Sequence, residues 1–292
     1  MLRPDPRFKF WKLKEKNGVK YLSFEGWKGV NVFYSTRIGG VSSPPYDTLN
    51  LHYGRGDDIS NVKFNRKRFF NVVSIDERNI VYTKQTHSDI VNIVNDSSDK
   101  LKGDGMITDR KSIVLGVFTA DCIAVFFHSP INKIISIVHS GRAGAEKGIA
   151  KKGVDKMCEA FDIKAESIEA LLGPSLGPCC YEVGKEFLKR FKREYLIERK
   201  KSIYLDMWKM VREQLEESGV KKILVPEICS CSLDNLFFSY RKSGEKTGEN
   251  LGIIGMIDDR RQMTENRQEV ISSGALENGR VGKRENRVRS EQ

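Results

Sequence analysis

The sequence predicts an α/β fold, and three observations predict it. Short apolar, β-rich runs recur between turn formers. Amphipathic helical patterns separate groups of those runs. One pair of runs, 123–128 and 134–139, is joined by Ser129-Pro130-Ile131-Asn132, a link short enough and rich enough in turn formers to read as a hairpin.

The elements follow in order. Residues 8–35 contain Phe8-Lys9-Phe10-Trp11, Tyr21-Leu22-Ser23-Phe24 and Val30-Asn31-Val32-Phe33-Tyr34, which read as edge and hairpin strands. The loop Arg37-Ile38-Gly39-Gly40 reads as a cradle for phosphate or carboxylate, because glycines leave backbone N–H groups accessible. A helix is expected over 60–73, with Ser60 as its N-cap and Asn65-Arg66-Lys67-Arg68 as a solvated basic face. Strands at 79–82 and 90–94 flank a polar island that holds His87. Gly103-Asp104-Gly105 reads as a tight turn before the hairpin.

Small residues at Ser140-Gly141-Arg142-Ala143-Gly144 end the second hairpin strand and lead into a helical pattern over 145–161. A strand at 166–172, a rigid loop at 173–183, helices at 186–194 and 206–218, and a strand at 220–225 come next. The runs 237–241 and 248–256 read as a final strand pair. Residues 1–257 are expected to form one catalytic domain, and 258–292, polar and without periodicity, a disordered tail.

Composition narrows the function classes. The chain has 292 residues and a formal net charge of +11. Its basic residues are scattered among acidic ones, and no nucleic-acid motif or basic helix with interleaved aromatics is present. A nucleic-acid partner is therefore not expected. No run of about 18 apolar residues and no apolar leader occurs, so neither a membrane span nor secretion is expected, and the location expected is cytoplasmic. The six cysteines then read as free thiols, metal ligands or a nucleophile rather than a disulfide framework.

The chemistry-bearing residues cluster by setting. If His128 faces Lys133 in the hairpin, Cys122 falls opposite His139, close enough for thiolate and imidazole to share a metal ion or a proton. A one-residue slip would put the two on opposite faces. His87, Cys122 and His139 each lie at a strand end or in a polar break beside one. His52 lacks that setting, and His128, beside the turn, reads as a surface residue. Two histidines and one thiolate form a recognised catalytic zinc set with a fourth position for water. The same residues also suit a Cys-His nucleophile pair with a second histidine. Local pattern does not choose between them. Adjacent Cys179 and Cys180 point apart in an extended backbone and read as packing thiols, while Cys229 and Cys231 lack further ligands nearby in sequence.

A resemblance adds to this reading. Gln85-Thr86-His87, Thr119-Ala120-Asp121-Cys122, Val138-His139-Ser140-Gly141, the block from Leu172 through Gly173-Pro174-Ser175-Leu176-Gly177-Pro178 to Tyr181-Glu182-Val183, and Phe237-Phe238-Ser239-Tyr240-Arg241 resemble the signature blocks of the YfiH family. That family is also known as the laccase-domain or multicopper polyphenol oxidase family. Thr36-Arg37-Ile38-Gly39-Gly40-Val41-Ser42, Leu49-Asn50-Leu51 and Asn65-Arg66 match it too, and the blocks keep family order over about residues 30–256.

The resemblance implies mixed β-sheets flanked by helices and a metal site of His87, Cys122 and His139. It implies zinc, with copper possible, and purine nucleosides and phosphate as substrates. The activities implied are phosphorolysis of adenosine, guanosine, inosine and methylthioadenosine, and deamination of adenosine. Arg37 and Arg142 are the phosphate-binding candidates, and Asp121 the nearest candidate for a proton shuttle. One departure stands out: Arg142-Ala143 replaces the family's Trp-Arg after His139-Ser140-Gly141. Two other activities are weighed. One is a thiol hydrolase, with Cys122 as nucleophile and His139 as base, acting on an amide of a peptidoglycan precursor. The other is a copper oxidase, for which four histidines are too few to build a multicopper centre.

Overall fold

The computed structural model describes residues 8–98 and 100–257; the expected tail at 258–292 lies outside them. Sixteen strands and five α-helices are present among the described residues. The strands are β1 Lys12–Lys16, β2 Val19–Phe24, β3 Val30–Ser35, β4 Ile80–Lys84, β5 Val91–Ile93, β6 Leu101–Lys102, β7 Gly105–Thr108, β8 Val114–Thr119, β9 Ile123–Ser129, β10 Ile134–Ser140, β11 Glu169–Leu172, β12 Glu182–Val183, β13 Leu196–Arg199, β14 Ser202–Leu205, β15 Lys222–Leu224 and β16 Asn250–Met256. The helices are α1 Ile59–Val73, α2 Arg142–Glu146, α3 Ile149–Phe161, α4 Met207–Glu217 and α5 Tyr240–Ser243.

Two large sheets stack face to face. The first has seven strands in the order β1-β2-β3-β16-β8-β4-β6, and the second six in the order β15-β11-β9-β10-β7-β5. Both are mixed: β4 runs parallel to β8 and β6, β11 to β15, and β5 to β7, while the other pairs are antiparallel. Tyr34, Leu115 and Val117 from the first sheet, with Trp11 just before β1, meet Phe126, Ile135, Ile137 and Leu171 from the second in one apolar cluster. Helix α1 covers the outer face of the first sheet through Phe69, Phe70, Val72 and Val73. Helices α3 and α4 cover the outer face of the second through Ile149, Val154, Met157, Val211 and Leu215. The expected α/β fold of mixed sheets flanked by helices is therefore present. Strands β9, β10 and β16 are buried along their whole length, which accounts for their unbroken apolar character.

Several local expectations are corrected. Strand β9 runs on through Ser129, and Lys133 takes a left-handed φ of 56° to close the turn. The pairing is therefore His128 with Ile135 and His139 with Ala124. This differs by two residues from the expected register, so it preserves which face each side chain occupies. The helix over 145–161 is split, because Gly148 at φ 76° cannot sit within a right-handed helix. The cap of α1 is Asp58, whose carboxylate accepts from Ser60 N at 2.6 Å. In place of a helix over 186–194 there are two 3-10 turns, Lys185–Lys189 and Arg193–Tyr195. The like-charged i,i+4 pairs Lys185/Lys189 and Lys189/Arg193 disfavour a continuous helix.

The run 237–241 forms no strand. Strand β16 already pairs with β3 and β8. Phe238 instead exchanges backbone bonds with the Asn250 side chain, and α5 follows with Ser239 as its cap. Arg66 is buried rather than solvated. It pairs with Glu77 at 2.6 Å, donates to Leu51 O and Tyr82 Oη, and lies over the rings of Tyr82 and Phe118.

His128 is also buried, 4% exposed, against Trp27 at 5.3 Å between ring centroids. Its Nδ1 has no hydrogen-bond partner. Burial, aided by Lys222 and only partly opposed by Glu169, lowers its pKa to about 4. The unfolded chain, with an ordinary histidine near 6.5, then binds the extra proton first as pH falls. Stability held above pH 6.5 is lost between 6.5 and about 4. We expect His128→Leu to flatten this acid limb by roughly 2–3 kcal/mol, read from denaturant melts of both proteins at pH 7 and pH 4.

Candidate metal centre and cavity

The site lies where the two sheets meet at one edge. Strand β4 ends at Lys84 and continues into Gln85-Thr86-His87. Strand β8 ends at Thr119, and Ala120-Asp121-Cys122 carry the chain from the first sheet to the second. Strand β10 brings His139 to the same edge. By strand alternation Cys122 and His139 share a face with Ala124, Phe126, Ile135 and Ile137, the face turned toward the other sheet.

The ligand atoms of His87, Cys122 and His139 all lie within 4.8 Å of one another. Cys122 Sγ is 3.8 Å from His87 Nε2, and the two imidazole centroids are 4.9 Å apart. Zinc bonded to sulfur and nitrogen at about 2.3 and 2.1 Å in a tetrahedron places those two atoms about 3.5 Å apart, so the spacing fits a metal ion. The backbone is shaped around the cluster. His87 and Asp121 both take left-handed φ values, 55° and 89°, a conformation uncommon outside glycine and characteristic of constrained sites. A Cβ on Gly141 would come within 2.6 Å of His87 Cδ2 and 2.9 Å of Cys122 Sγ.

Asp104, read in the sequence only as part of a turn, organises this cluster. It is fully buried. Its carboxylate accepts from the backbone N–H groups of Thr86, His87 and Ser88 and from the Ser88 hydroxyl. It also pairs with His139 Nδ1 at 2.8 Å. That bond leaves Nε2 of His139 for the cluster, the second contact that metal-binding histidines commonly make. Although burial opposes ionisation, these hydrogen bonds hold Asp104 well below the ordinary carboxylate range. Burial likewise opposes a Cys122 thiolate, but His139 and His87 bring the thiol down to about 7. Burial is outweighed at His139 too, which Cys122 and Asp104 raise to about 10. The cluster therefore favours a thiolate, the form that binds metal.

A cavity of about 960 Å³ opens over the cluster. Arg142 and Ala143 line it, with Arg55, Lys84 and Arg241 adding positive charge. Phe118 forms part of the wall, stacked on Tyr82 at 5.1 Å and met edge-on by His52 at 4.6 Å. Gln85 fixes Phe118 by bonding both its N–H and its C=O. Glu249 lies 3.8 Å from His52 and 3.7 Å from Arg55. His52, Arg55, Arg241, Tyr181 and Glu249 thus belong to the cavity although the sequence assigned them no site role. Pattern could not have found them, since they come from four separate segments.

The two expected phosphate ligands are placed differently. Arg142 lines the cavity, while its Nη1, 3.5 Å from Glu146, makes no hydrogen bond. Arg37 is held elsewhere by Asp47, by the carbonyl of Asp234 and by the face of Phe238. The Gly39-Gly40 loop is not an open cradle either: both N–H groups donate to Thr48 Oγ1, and a Cβ at either glycine would strike backbone. Asp121 binds Ser230 Oγ and Arg241 N, each at 2.6 Å, and so acts as a clamp between loops.

Fold and site define an α/β protein built on two large mixed sheets and a small third one, β12-β14-β13, with a His-Cys-His cluster in a cationic cavity. The family described as multi-copper polyphenol oxidoreductase laccase matches residues 31–257. The chain is 34% identical over 248 residues to a purine nucleoside phosphorylase of Clostridium acetobutylicum, covering 83% of this chain and 98% of that one. It is 32% identical over 237 residues to the purine nucleoside phosphorylase YfiH of Escherichia coli, covering 79% and 95%. Among solved structures, YlmD from Geobacillus stearothermophilus superposes with a TM-score of 0.79 at 28% identity, covering 85% of this chain and 99% of that one. This chain belongs to the YfiH, or laccase-domain, family.

Gly141→Ala tests how tightly the cluster is built. Its φ of −76° suits any residue, so the added methyl acts only through contact with His87 and Cys122. We expect metal affinity to fall at least about tenfold, roughly 1.4 kcal/mol, with the fold retained. Metal titration beside a thermal melt checks it.

Proposed function

We propose that this chain is a zinc-dependent purine nucleoside phosphorylase acting on adenosine, guanosine, inosine and methylthioadenosine, and that it also deaminates adenosine. The observation that carries this reading is the convergence of His87, Cys122 and His139 beneath a cavity lined by Arg142, Arg241, Arg55 and Lys84. The relatives named as purine nucleoside phosphorylases over nearly their whole length support it. So does the cavity volume, which lies within the range of small-molecule sites.

Zinc, when bound by the three residues, supplies Lewis acidity and a water with a pKa near 7. The chain's own residues supply the rest. Asp104 fixes the tautomer and direction of His139. Phe118 and His52 offer apolar faces suited to a purine ring. Glu249 offers a carboxylate to sugar hydroxyls. In phosphorolysis a phosphate oxygen forms the new bond to ribose C1′ as the bond from C1′ to the purine nitrogen breaks, and the electron pair leaves with the base. Arg142 and Arg241, which both line the cavity, are the guanidinium groups for that phosphate. This moves the role expected of Arg37 to Arg241 and keeps that of Arg142.

A second reading rests on Cys122 near His139, whose other nitrogen is held by Asp104, the contacts of a thiol hydrolase that would cleave an amide of a peptidoglycan precursor. Chelation separates the two: the phosphorylase loses turnover and regains it with zinc, whereas the hydrolase ignores the chelator and is lost to thiol alkylation. Copper is the other metal weighed for the site. Two imidazoles at the cluster fall short of a multicopper centre.

We expect Cys122→Ala to abolish phosphate-dependent release of free base from adenosine or inosine, with an unchanged circular dichroism spectrum; normal turnover in this variant would sink the proposal. Arg142→Ala should raise the KM for phosphate by about 10–100-fold, the loss of one charged hydrogen bond. Adenosine deamination, which needs no phosphate, should change less than about threefold, so parallel assays with and without phosphate separate the two effects.

A further inference from the structure

A cluster of three cysteine sulfurs lies outside the His87-Cys122-His139 site. Cys179 and Cys180 come from the loop after β11, and Cys229 from the segment after β15. Their sulfur atoms lie within 4.8 Å of one another. An isolated parallel bridge, Ser175 with Cys229, draws the two segments together. Ser175 N donates to Ile228 O and Ser230 N to Ser175 O at 3.0 and 2.9 Å. The expectation that the Cys179 and Cys180 side chains point apart does not hold, and Cys229, without further ligands nearby in sequence, gains thiol neighbours from a distant loop.

We propose that Cys179, Cys180 and Cys229 hold a zinc ion that staples these two loops together, separate from the His87-Cys122-His139 site. The spacing suits a metal. Sulfurs bound to one zinc at about 2.3 Å are about 3.8 Å apart, whereas a disulfide needs about 2.05 Å, and all three cysteines are free thiols. The buried Cys229 is prepared as an anion: its Sγ accepts from Gly177 N at 3.3 Å and Ser232 N at 3.4 Å. Backbone donors aimed at a sulfur favour thiolate and set its direction toward a metal. Ser232 Oγ lies 3.3 Å from Cys179 and 3.2 Å from Cys180, a hydroxyl placed to orient both sulfurs, and water takes the fourth position on the ion. Cys179 is exposed, which gives the ion a route in.

The staple acts on the first site through Asp121. The 173–181 loop donates Leu176 N to Asp121 O at 2.9 Å, and the 227–241 segment donates Ser230 Oγ and Arg241 N to the Asp121 carboxylate. Asp121 immediately precedes Cys122. The same two loops carry Tyr181 and Arg241 into the cavity wall, where the Arg241 guanidinium lies 5.1 Å over the Tyr181 ring. Zinc in the sulfur cluster therefore positions residues of the cavity without touching substrate.

The test uses the full chain, zinc-loaded and desalted, and compares Cys122→Ala with Cys122→Ala/Cys179→Ser. The first variant should keep about one zinc per chain and melt at a higher temperature with zinc than without. Its cobalt form should show thiolate-to-metal charge-transfer absorption in the near ultraviolet. The double variant, altered at an exposed position so that it still folds, should lose all three signals. Absence of metal in Cys122→Ala, persistence of the signals in the double variant, or a disulfide among the three cysteines would each overturn the staple. None of these outcomes depends on nucleoside turnover, so the staple and the proposed function fail separately.

Discussion

The carboxylate of Asp104 is the contact on which the site depends. It sits in strand-end backbone at β7, yet its five acceptor bonds reach the loop after β4 and the imidazole on β10. Strand β4 belongs to one sheet, while β7 and β10 belong to the other. A single buried charge therefore fastens the two sheets at the edge where they open. Three of its donors are consecutive backbone N–H groups, which accounts for the left-handed turn at His87. Without that turn His87 would continue away from Cys122. A buried carboxylate is costly unless every lone pair is satisfied, and here satisfaction and site geometry are the same set of bonds.

Aromatic packing plays the corresponding part on the opposite wall. Arg66 is taken out of water by Glu77, Leu51 and Tyr82, and presses against the ring of Phe118. Phe118 is also bonded through both backbone groups to Gln85, two residues before His87. The wall that faces the ligand and the loop that carries a metal ligand thus move as one unit. Removing Arg66 would leave the buried Leu51 carbonyl without its donor and Phe118 without its backing, so Arg66 supports the cavity from outside it.

Much of the fold was legible because burial on one or two faces leaves a periodic record. Strands β9, β10 and β16 and helices α1, α3 and α4 fall close to their expected places. The Cys122 and His139 pair was legible for a related reason: a two-residue error in hairpin register leaves the side-chain faces unchanged, while His87 was marked by its setting in a polar break after a strand. What pattern did not reveal depends on partners distant in sequence. His128 is buried because Trp27 and Glu169 close over it, and nothing near residue 128 announces them. Asp104 looks like an ordinary turn residue until the loop at 86–88 arrives. The Gly39-Gly40 pair looks like an anion cradle, yet Thr48 takes its N–H groups.

The ordered family blocks acquire a common meaning from the topology. Gln85-Thr86-His87 follows β4, Asp121-Cys122 bridges the sheets, His139 ends β10, and the blocks around Tyr181 and Arg241 close the cavity from the side. All of them meet at Asp121 or Asp104. Asp121 differs from Asp104 in one respect: its partners Ser230 and Arg241 belong to loops rather than to the sheets. Loops joined by one isolated bridge lack the cooperative ladder that holds a strand in place. A constraint added where those loops approach most closely, at Cys179, Cys180 and Cys229, therefore gains the most order for the least structure. It lies one hydrogen bond from the residue that aims Cys122.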